Sequence, residues 1–403
     1  MLRYEDARQL VVKEAGRQAG SAKTITKNIW EALGFVLARE IRADRAYPPF
    51  DRSTRDGYSV RAREAVAGGV IRCAGEIKAG DSVTAPLAAG TCVQIMTGAA
   101  VPAEADAVVM IEFTLRDGDA VTFQRETKAG QNIVSRGSEA AAGALTLAKG
   151  KRLGFAELGL AAQVGAVELL CSKKPRVAIL STGDEVVPVT ETPGPFHIRN
   201  SNSVSLAAQV QLAGGEPVLL GNALDQVEDL SAKIELGLRE DILVLSGGVS
   251  MGKYDLVESV LKGLGTEFYF DAVAIRPGKP AVFGRCRNTL VFGLPGNPVS
   301  TMVTFLLFVA PAIDVLSGAD ARPLPLLEAV LGEALHEKTG LTHFLPARVE
   351  WPADRAEVRA LKWQGSGDIG ALSLANCFLV VPADRQDLAV GEIVSVLPRM
   401  DVL

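Results

Sequence analysis

The stretch Asp241-Ile-Leu-Val-Leu-Ser-Gly-Gly-Val-Ser-Met-Gly-Lys-Tyr-Asp255 decides how this chain is read. Four apolar residues, Ile242 to Leu245, have the composition of a buried parallel strand. They run directly into Ser246, Gly247 and Gly248. Glycines at the carboxyl end of a strand let backbone N–H groups approach an anion closely. Asp255 then supplies a hard oxygen donor of the kind Mg²⁺ prefers. A phosphate held partly through a metal is one reading of this stretch. A tight turn followed by a solvated aspartate is the other.

Two further segments repeat the pattern. Arg176 to Leu180 is strand-like and leads into Ser181-Thr-Gly-Asp-Glu185. Thr289 to Gly293 is strand-like and leads into Leu294-Pro-Gly-Asn-Pro298, with the apolar run Val299 to Val315 beyond it. Pro298 suits a first helical turn and Asn297 a cap. Asn200 to Leu212 and Asp225 to Leu238 have the spacing of crossover helices. Strands ending in Gly/Asp/Asn/Pro loops describe the ligand edge of an open α/β sheet.

The remainder of the chain is organised differently. With 403 residues, 48% hydrophobic and 22% charged, it is large enough for two to four domains and able to bury cores. Residues 1–45 read as helical, with Ile25, Ile29, Ala32, Leu33, Val36 and Leu37 on one repeating face, and 141–174 return to helix; together they make a helical connecting domain. Residues 46–140 read as a β-rich module built on runs such as Val70 to Cys73, Thr91 to Ile95 and Ala107 to Ile111. Residues 175–321 form the central α/β domain. Residues 322–403 alternate as a small C-terminal β-barrel does. The expected class is therefore α/β and β, multidomain.

A net charge of −5 with no Lys/Arg-dense run argues against nucleic acid as a partner. The five cysteines are scattered and no C-x-x-C occurs, so neither a disulfide framework nor a zinc knuckle is indicated. The N-terminus has no apolar signal-peptide core. Thr301 to Leu316 reads as a core helix, too short and too interrupted to span a bilayer. No membrane role and a cytoplasmic location are the expectations.

Several loops carry candidate chemistry. Asp56-Gly57 presents a carboxylate or is simply a turn. Thr97-Gly98 offers a hydroxyl and N–H groups or ends a strand. Asp184 and Glu185 would repel phosphate unless a cation lies between. Arg276-Pro-Gly-Lys279-Pro280 puts two cations on a proline-stiffened loop, which favours an anion clamp. Gly365-Ser366-Gly367-Asp368 lines an oxyanion site or is a flexible hairpin.

The order of the motifs is more specific than any one of them. Asp-x-Ser-x-x-Asp-Gly-Tyr (51–58), Thr-Gly-x-x-Val-Pro (97–102), Ser-Thr-Gly-Asp-Glu (181–185), Arg-Asn-Ser-Asn (199–202), Ser-Gly-Gly-Val-Ser-x-Gly-x-x-Asp (246–255), Pro-Gly-Lys-Pro (277–280) and Gly-Leu-Pro-Gly-Asn-Pro-Val-Ser (293–300) occur in series. The whole chain resembles the MoeA and gephyrin E-domain family of molybdopterin molybdenumtransferases. That resemblance implies an elongated four-domain homodimer with its cleft built between subunits. It implies insertion of molybdate into adenylylated molybdopterin, with Mg²⁺ as cofactor and release of AMP. It gives catalytic positions to Asp56, Thr97, Glu185, Asp255 and Lys279. It gives cofactor-binding positions to Gly247, Gly248, Ser250, Asp225, Arg276, Pro295, Pro298 and Ser366, and metal-ligand positions to Asp255 and Glu185. Partners implied are the molybdopterin adenylyltransferase and molybdoenzyme apoproteins. Arg276, Pro346, Arg55 and Glu139 depart from the family pattern. The alternatives are an altered paralogue that binds cofactor or acts as a scaffold, and a molybdopterin adenylyltransferase.

Overall fold

The computed structural model describes residues 1–18, 23–248, 256–352 and 355–402. Helix α1 (Tyr4–Gly16) buries Tyr4, Ala7, Val11 and Ala15, one stripe at helical spacing. Glu5 and Asp6 lie in its first turn and Lys13 in its last, each favourable to the helix dipole. The stripe packs into the same core as Val177, Phe308 and Ile313 of the α/β region.

The rest of the connecting region is less helical than its periodicity suggested. Thr24–Asn28 is a strand, paired antiparallel with Glu168–Ser172. The β-branched run Thr24-Ile25-Thr26 suits the pleat, and the Asn28 side chain accepts from Trp30 N to close a single tight turn. The face Ile25 to Leu37 is therefore not one helix. Between 141 and 174 only α2 (Phe155–Gln163) is helical; Gly143, Gly150 and Gly165 take positive φ and punctuate the segment.

The β-rich module is a six-stranded sheet: β1 (Gly57–Val60), β2 (Val70–Ile77), β3 (Thr91–Ile95), β4 (Ala107–Met110), β5 (Thr114–Asp117) and β6 (Ala120–Phe123), in the order β4-β1-β3-β2-β6-β5. Tyr58, Val60, Cys92, Val109, Val121 and Phe123 form its core. Gly57 has no substitute there. A β-carbon on it would fall 1.9 Å from the Val109 carbonyl oxygen of β4.

The central sheet has the order β8-β7-β9-β12-β11-β10, from β7 (Arg176–Thr182), β8 (Glu216–Ala223), β9 (Ile242–Ser246), β10 (Glu267–Phe270), β11 (Val282–Cys286) and β12 (Thr289–Leu294). The first four strands are parallel; β11 and β10 complete the edge antiparallel. Helix α3 (Ser201–Ala213) covers one face; α4 (Val227–Gly237) and α5 (Leu256–Gly263) cover the other. Asn200 caps α3 through its bond to Ser203 N, and Gly214 ends it in the left-handed conformation. The chain passes from β7 outward to β8, then back across to β9. Loops therefore diverge between β7 and β9, the switch point where open α/β sheets open a crevice.

After β12, helix α6 (Pro298–Thr304) continues through a wider turn, Phe305–Val309, into α7 (Ala310–Leu316). This 19-residue span is long and apolar enough to cross a membrane, so neither Pro311 nor Asp314 shortens it as expected; it is nonetheless 83% buried within the fold. It is a core element.

The C-terminal strands β13 (Leu327–Leu331), β14 (Thr342–Glu350), β15 (Glu357–Ala360), β16 (Cys377–Val381) and β17 (Ile393–Pro398) close into a five-stranded barrel, because β16 pairs with both β17 and β14. Leu331, Leu345, Val358, Leu379 and Val396 fill it. Phe344, Phe378 and Leu397 instead join the α/β core, fastening the barrel to the sheet.

Candidate active cleft

Three loops meet at the carboxyl edge of β7, β9 and β12, and one asparagine holds two of them. Asn202 Nδ2 donates to Ser246 Oγ at 2.8 Å and to the Gly296 carbonyl oxygen at 2.7 Å. It thereby ties the end of β9 to the loop after β12. Ser181 Oγ, at the end of β7, bonds Asn200 Oδ1 at 3.1 Å and Ser203 Oγ at 2.9 Å. The Arg199–Asn202 motif is thus the hub of this edge. Arg-Asn-Ser-Asn (199–202) stands in the motif series, but the sequence alone gives its asparagines no role in joining the strand-end loops.

Gly247 and Gly248 both take positive φ, at 96° and 64°. β-Carbons there would come within 3.0 Å and 2.8 Å of Thr182 Oγ1. Only glycine fits this turn. The Gly247 N–H is already used, donating to the Leu294 carbonyl oxygen at 3.1 Å, so it is not a free anion donor. Ser250 and Asp255 lie outside the described residues.

The acidic loop follows β7. Asp184 Oδ1 accepts from Asp225 N at 3.0 Å, which brings the loop after β8 against the loop after β7. Asp225 has its pKa raised, first by desolvation and then by the charges of Asp184 and Glu185. The three carboxylates crowd one another, and a cation would relieve that crowding. Among the described residues no three acidic, His or Cys groups form a ready metal cage. Mg²⁺ does not need one. It keeps waters and commonly takes one or two carboxylates plus phosphate oxygens. Hard oxygen donors at Glu185 and Asp225 fit that chemistry.

Pro295, Pro298 and Ser366 come together at the start of α6. Asn297 was expected to cap this helix, but its side chain makes no cap bond. Its Nδ2 donates instead to Ser366 Oγ at 2.8 Å, and Val299 N donates to the Ser366 carbonyl oxygen at 3.0 Å. The cap is the Ser366 carbonyl that accepts from Val299 N, while Thr301 Oγ1 donates to the Pro295 carbonyl oxygen at 2.5 Å and fixes the preceding loop. The barrel loop is thereby seated on the α/β edge.

The Arg276–Lys279 loop leaves a short strand, Ile275–Arg276, that runs parallel to the start of β14. Arg276 and Lys279 are both exposed. Among the described residues no carboxylate lies within ion-pair distance of either. Gly278 (φ 107°) is fixed by packing, since a β-carbon would meet Thr304 Cγ2 of α6 at 2.6 Å. At the departing positions, Glu139 pairs with Arg52 at 2.7 Å, and Pro346 is buried in β14.

Asp56 and Thr97 sit together on the β-rich sheet. Asp56 Oδ1 accepts from Thr97 N at 2.7 Å and from Thr97 Oγ1 at 2.9 Å. The backbone bond first, and the hydroxyl second, hold the Asp56 carboxyl below the ordinary carboxylate range. Among the described residues neither side chain bonds to the loops of the central sheet. A cavity of about 540 Å³ lies elsewhere, lined by Arg8, Met302, Phe305, Arg322 and Leu397 between α3, the 298–316 helix and the barrel.

Comparison with known proteins accounts for this arrangement. Residues 2–165 match the MoeA N-terminal region (domain I and II), 178–315 the probable molybdopterin binding domain, and 328–398 the MoeA C-terminal region (domain IV). A molybdopterin molybdenumtransferase of Haemophilus influenzae is 33% identical over 375 residues, covering 92% of this chain and 93% of that protein. This chain belongs to the MoeA family. The molybdopterin molybdenumtransferase of Bacillus subtilis is also 33% identical, over 91% of this chain and 88% of its own length. A crystal structure of a molybdopterin biosynthesis MoeA protein from Pyrococcus horikoshii superposes with a TM-score of 0.79 at 26% identity, covering 98% of this chain and 99% of that one. The MoeA match runs through all three sheets, so the β-rich sheet and the barrel belong to the family design as much as the central sheet does.

Proposed function

We propose that this chain acts in molybdenum cofactor biosynthesis, inserting molybdate into adenylylated molybdopterin and releasing AMP. The observation that carries the reading is the Asn202 bridge between Ser246 and Gly296 at the switch point, in a chain matched to MoeA proteins along nearly its whole length. Main-chain groups of the glycine loop, with Gly248 foremost since the Gly247 N–H is occupied, would hold the substrate's phosphate end. Arg276 and Lys279 would hold the oxyanion, as a planar fork and a point charge respectively. Glu185 and Asp225, with Asp255, would hold Mg²⁺, which when bound neutralises phosphate charge. Asp56, kept ionised by Thr97, would be supplied to the cleft from the β-rich sheet.

The reading includes a homodimer. Trp30 and Phe155 are 91% and 90% exposed, on segments of the connecting region that Gly34 N joins through the Leu153 carbonyl oxygen at 2.8 Å. A second copy covering these rings would remove large aromatic area from water. The four-part division 1–45 with 141–174, 46–140, 175–321 and 322–403 belongs to the same reading, with α1 docked on the α/β part. The protein would work as a cytoplasmic enzyme beside the molybdopterin adenylyltransferase and molybdoenzyme apoproteins. The test is direct. Incubation with adenylylated molybdopterin, Mg²⁺ and molybdate should release AMP in proportion to protein. No release above the protein-free control would overturn the assignment.

A further inference from the structure

The loop between β7 and α3 carries a ring that the fold does not use. Phe196 is 90% exposed. Its loop is nonetheless well tied. Val186 and Val187 pair in parallel with Ile198 and Arg199. Arg199 Nε donates to the Glu191 carbonyl oxygen at 3.0 Å, and His197 N donates to the Gly194 carbonyl oxygen at 3.1 Å. Pro193 and Pro195 flank the tip and restrict its backbone further. An aromatic side chain is thus held out on a built support, with nothing of its own chain against it.

Its position is at the cleft. Ile198 N donates to the Glu185 carbonyl oxygen at 2.8 Å. Phe196 lies two residues before Ile198, so at about 3.8 Å per Cα step its backbone is within roughly 10 Å of Glu185. Asn200, which bonds Ser181 at the end of β7, follows four residues later. The loop that carries the ring therefore borders the crevice, beside the acidic loop and the Asn200–Asn202 hub. The residues so far assigned to the cleft are charged, polar, glycine or proline, and none is aromatic. None of them offers a π-face to a heterocycle.

We propose that Phe196 is a stacking platform for a flat nitrogen heterocycle of the substrate, and so a specificity-determining residue of the cleft. The inference rests on the proposed function, whose substrate carries two such rings, adenine and pterin. Stacking suits this place because it needs area and a π-face and no hydrogen-bond partner; adenine is a flat aromatic ring, and the pyrimidine end of the pterin presents a flat face too. The exposed phenyl ring would then be covered only when substrate is bound.

The test measures binding of AMP and of molybdopterin lacking the adenylyl group, by calorimetry, to wild type, Phe196→Ala, Phe196→Leu and Phe196→Trp, together with KM in the AMP-release assay. Base–aromatic stacking contributes about 1–3 kcal/mol, so Phe196→Ala should weaken the stacked ligand by roughly five-fold to a hundred-fold. Phe196→Trp should restore it, and Phe196→Leu, which keeps apolar area without a ring, should not. Loss confined to AMP assigns the platform to adenine; loss confined to molybdopterin assigns it to the pterin. The KM for the adenylylated substrate should rise in either case. Unchanged affinity for both ligands in Phe196→Ala would overturn the proposal. So would unchanged affinity with a loss of dimer in light scattering, since the ring would then be a subunit contact. A wild type that binds neither ligand and releases no AMP removes the function and this inference together. A wild type that binds both as tightly as Phe196→Ala does removes the inference alone.

Discussion

Thr182 shows most plainly what the cleft asks of single residues. Neighbouring hydroxyls at the sheet edge are satisfied: Ser181 by Asn200 and Ser203, Ser246 by Asn202, Thr301 by Pro295. Thr182 Oγ1 is buried with no hydrogen-bond partner among the described residues. An unpaired buried hydroxyl costs on the order of 1 kcal/mol, and valine has the same shape and is as good a strand former. Thr182→Val should therefore raise stability in urea unfolding by up to about 1 kcal/mol; a clear loss of stability would show that the hydroxyl has a partner after all. Asp225 gives a pH-dependent counterpart. Desolvation, then Asp184 and Glu185, raise its pKa, so the folded protein holds this proton more tightly than the unfolded chain. Stability is then unaffected well below the ordinary carboxylate range and declines as pH rises through the interval up to the raised value. Asp225→Asn should raise the melting temperature at pH 7, and the gain should vanish near pH 3. Added Mg²⁺ should narrow the difference at pH 7. A gain that is the same at both pH values would mean the effect is not electrostatic.

At the scale of elements, legibility followed how local the determining forces are. Strands β7, β9, β12 and β16 and helix α3 could be read because each buried run is bounded on at least one side by Gly, Asn or Pro. The face Ile25 to Leu37 could not, because its spacing satisfies a helix while its partner strand, Glu168–Ser172, is about 140 residues away in sequence. Site residues followed the same division. Glycines at 247 and 248 are demanded by a local positive φ, whereas the Asn297–Ser366 tie joins two sheets and leaves no local trace. The linker at Arg322 is a second such case. Asp314 of α7 is 2% exposed and binds Arg152 at 2.9 Å and Arg322 at 2.7 Å, with Arg322 N also donating to it at 3.0 Å. One buried carboxylate thus pins the connecting region, the long helix and the strand of chain entering the barrel. Removing one partner of a buried ion pair typically costs 3–5 kcal/mol. Asp314→Ala should lose about that much in urea unfolding. A loss below about 1 kcal/mol would mean the two arginines are effectively solvated.

For the whole molecule, the arrangement of the sheets decides where catalysis can occur. The Asp56–Thr97 pair is built on β1 and the end of β3, while Glu185, Lys279 and the glycine loop belong to the central sheet. Among the described residues of one chain, no hydrogen bond joins the two groups. If both serve one reaction, the simplest geometry is a cleft with the β-rich sheet of one subunit over the central sheet of its partner, which a two-fold axis produces twice per dimer. Subunit mixing tests this. Asp56→Asn and Lys279→Ala should each be inactive as pure proteins. In a hybrid dimer one cleft would carry both substitutions and the other neither. With random exchange about half of the dimers are hybrids, each with one intact cleft, so the mixture should recover about a quarter of wild-type AMP release. A cleft formed within one subunit predicts no recovery at all, because every cleft would then carry one of the two substitutions. Exchange must be verified by tagging one variant and recovering the other with it. Hybrids that form and remain inactive would place Asp56 and Lys279 in the same subunit's site, or remove one of them from catalysis.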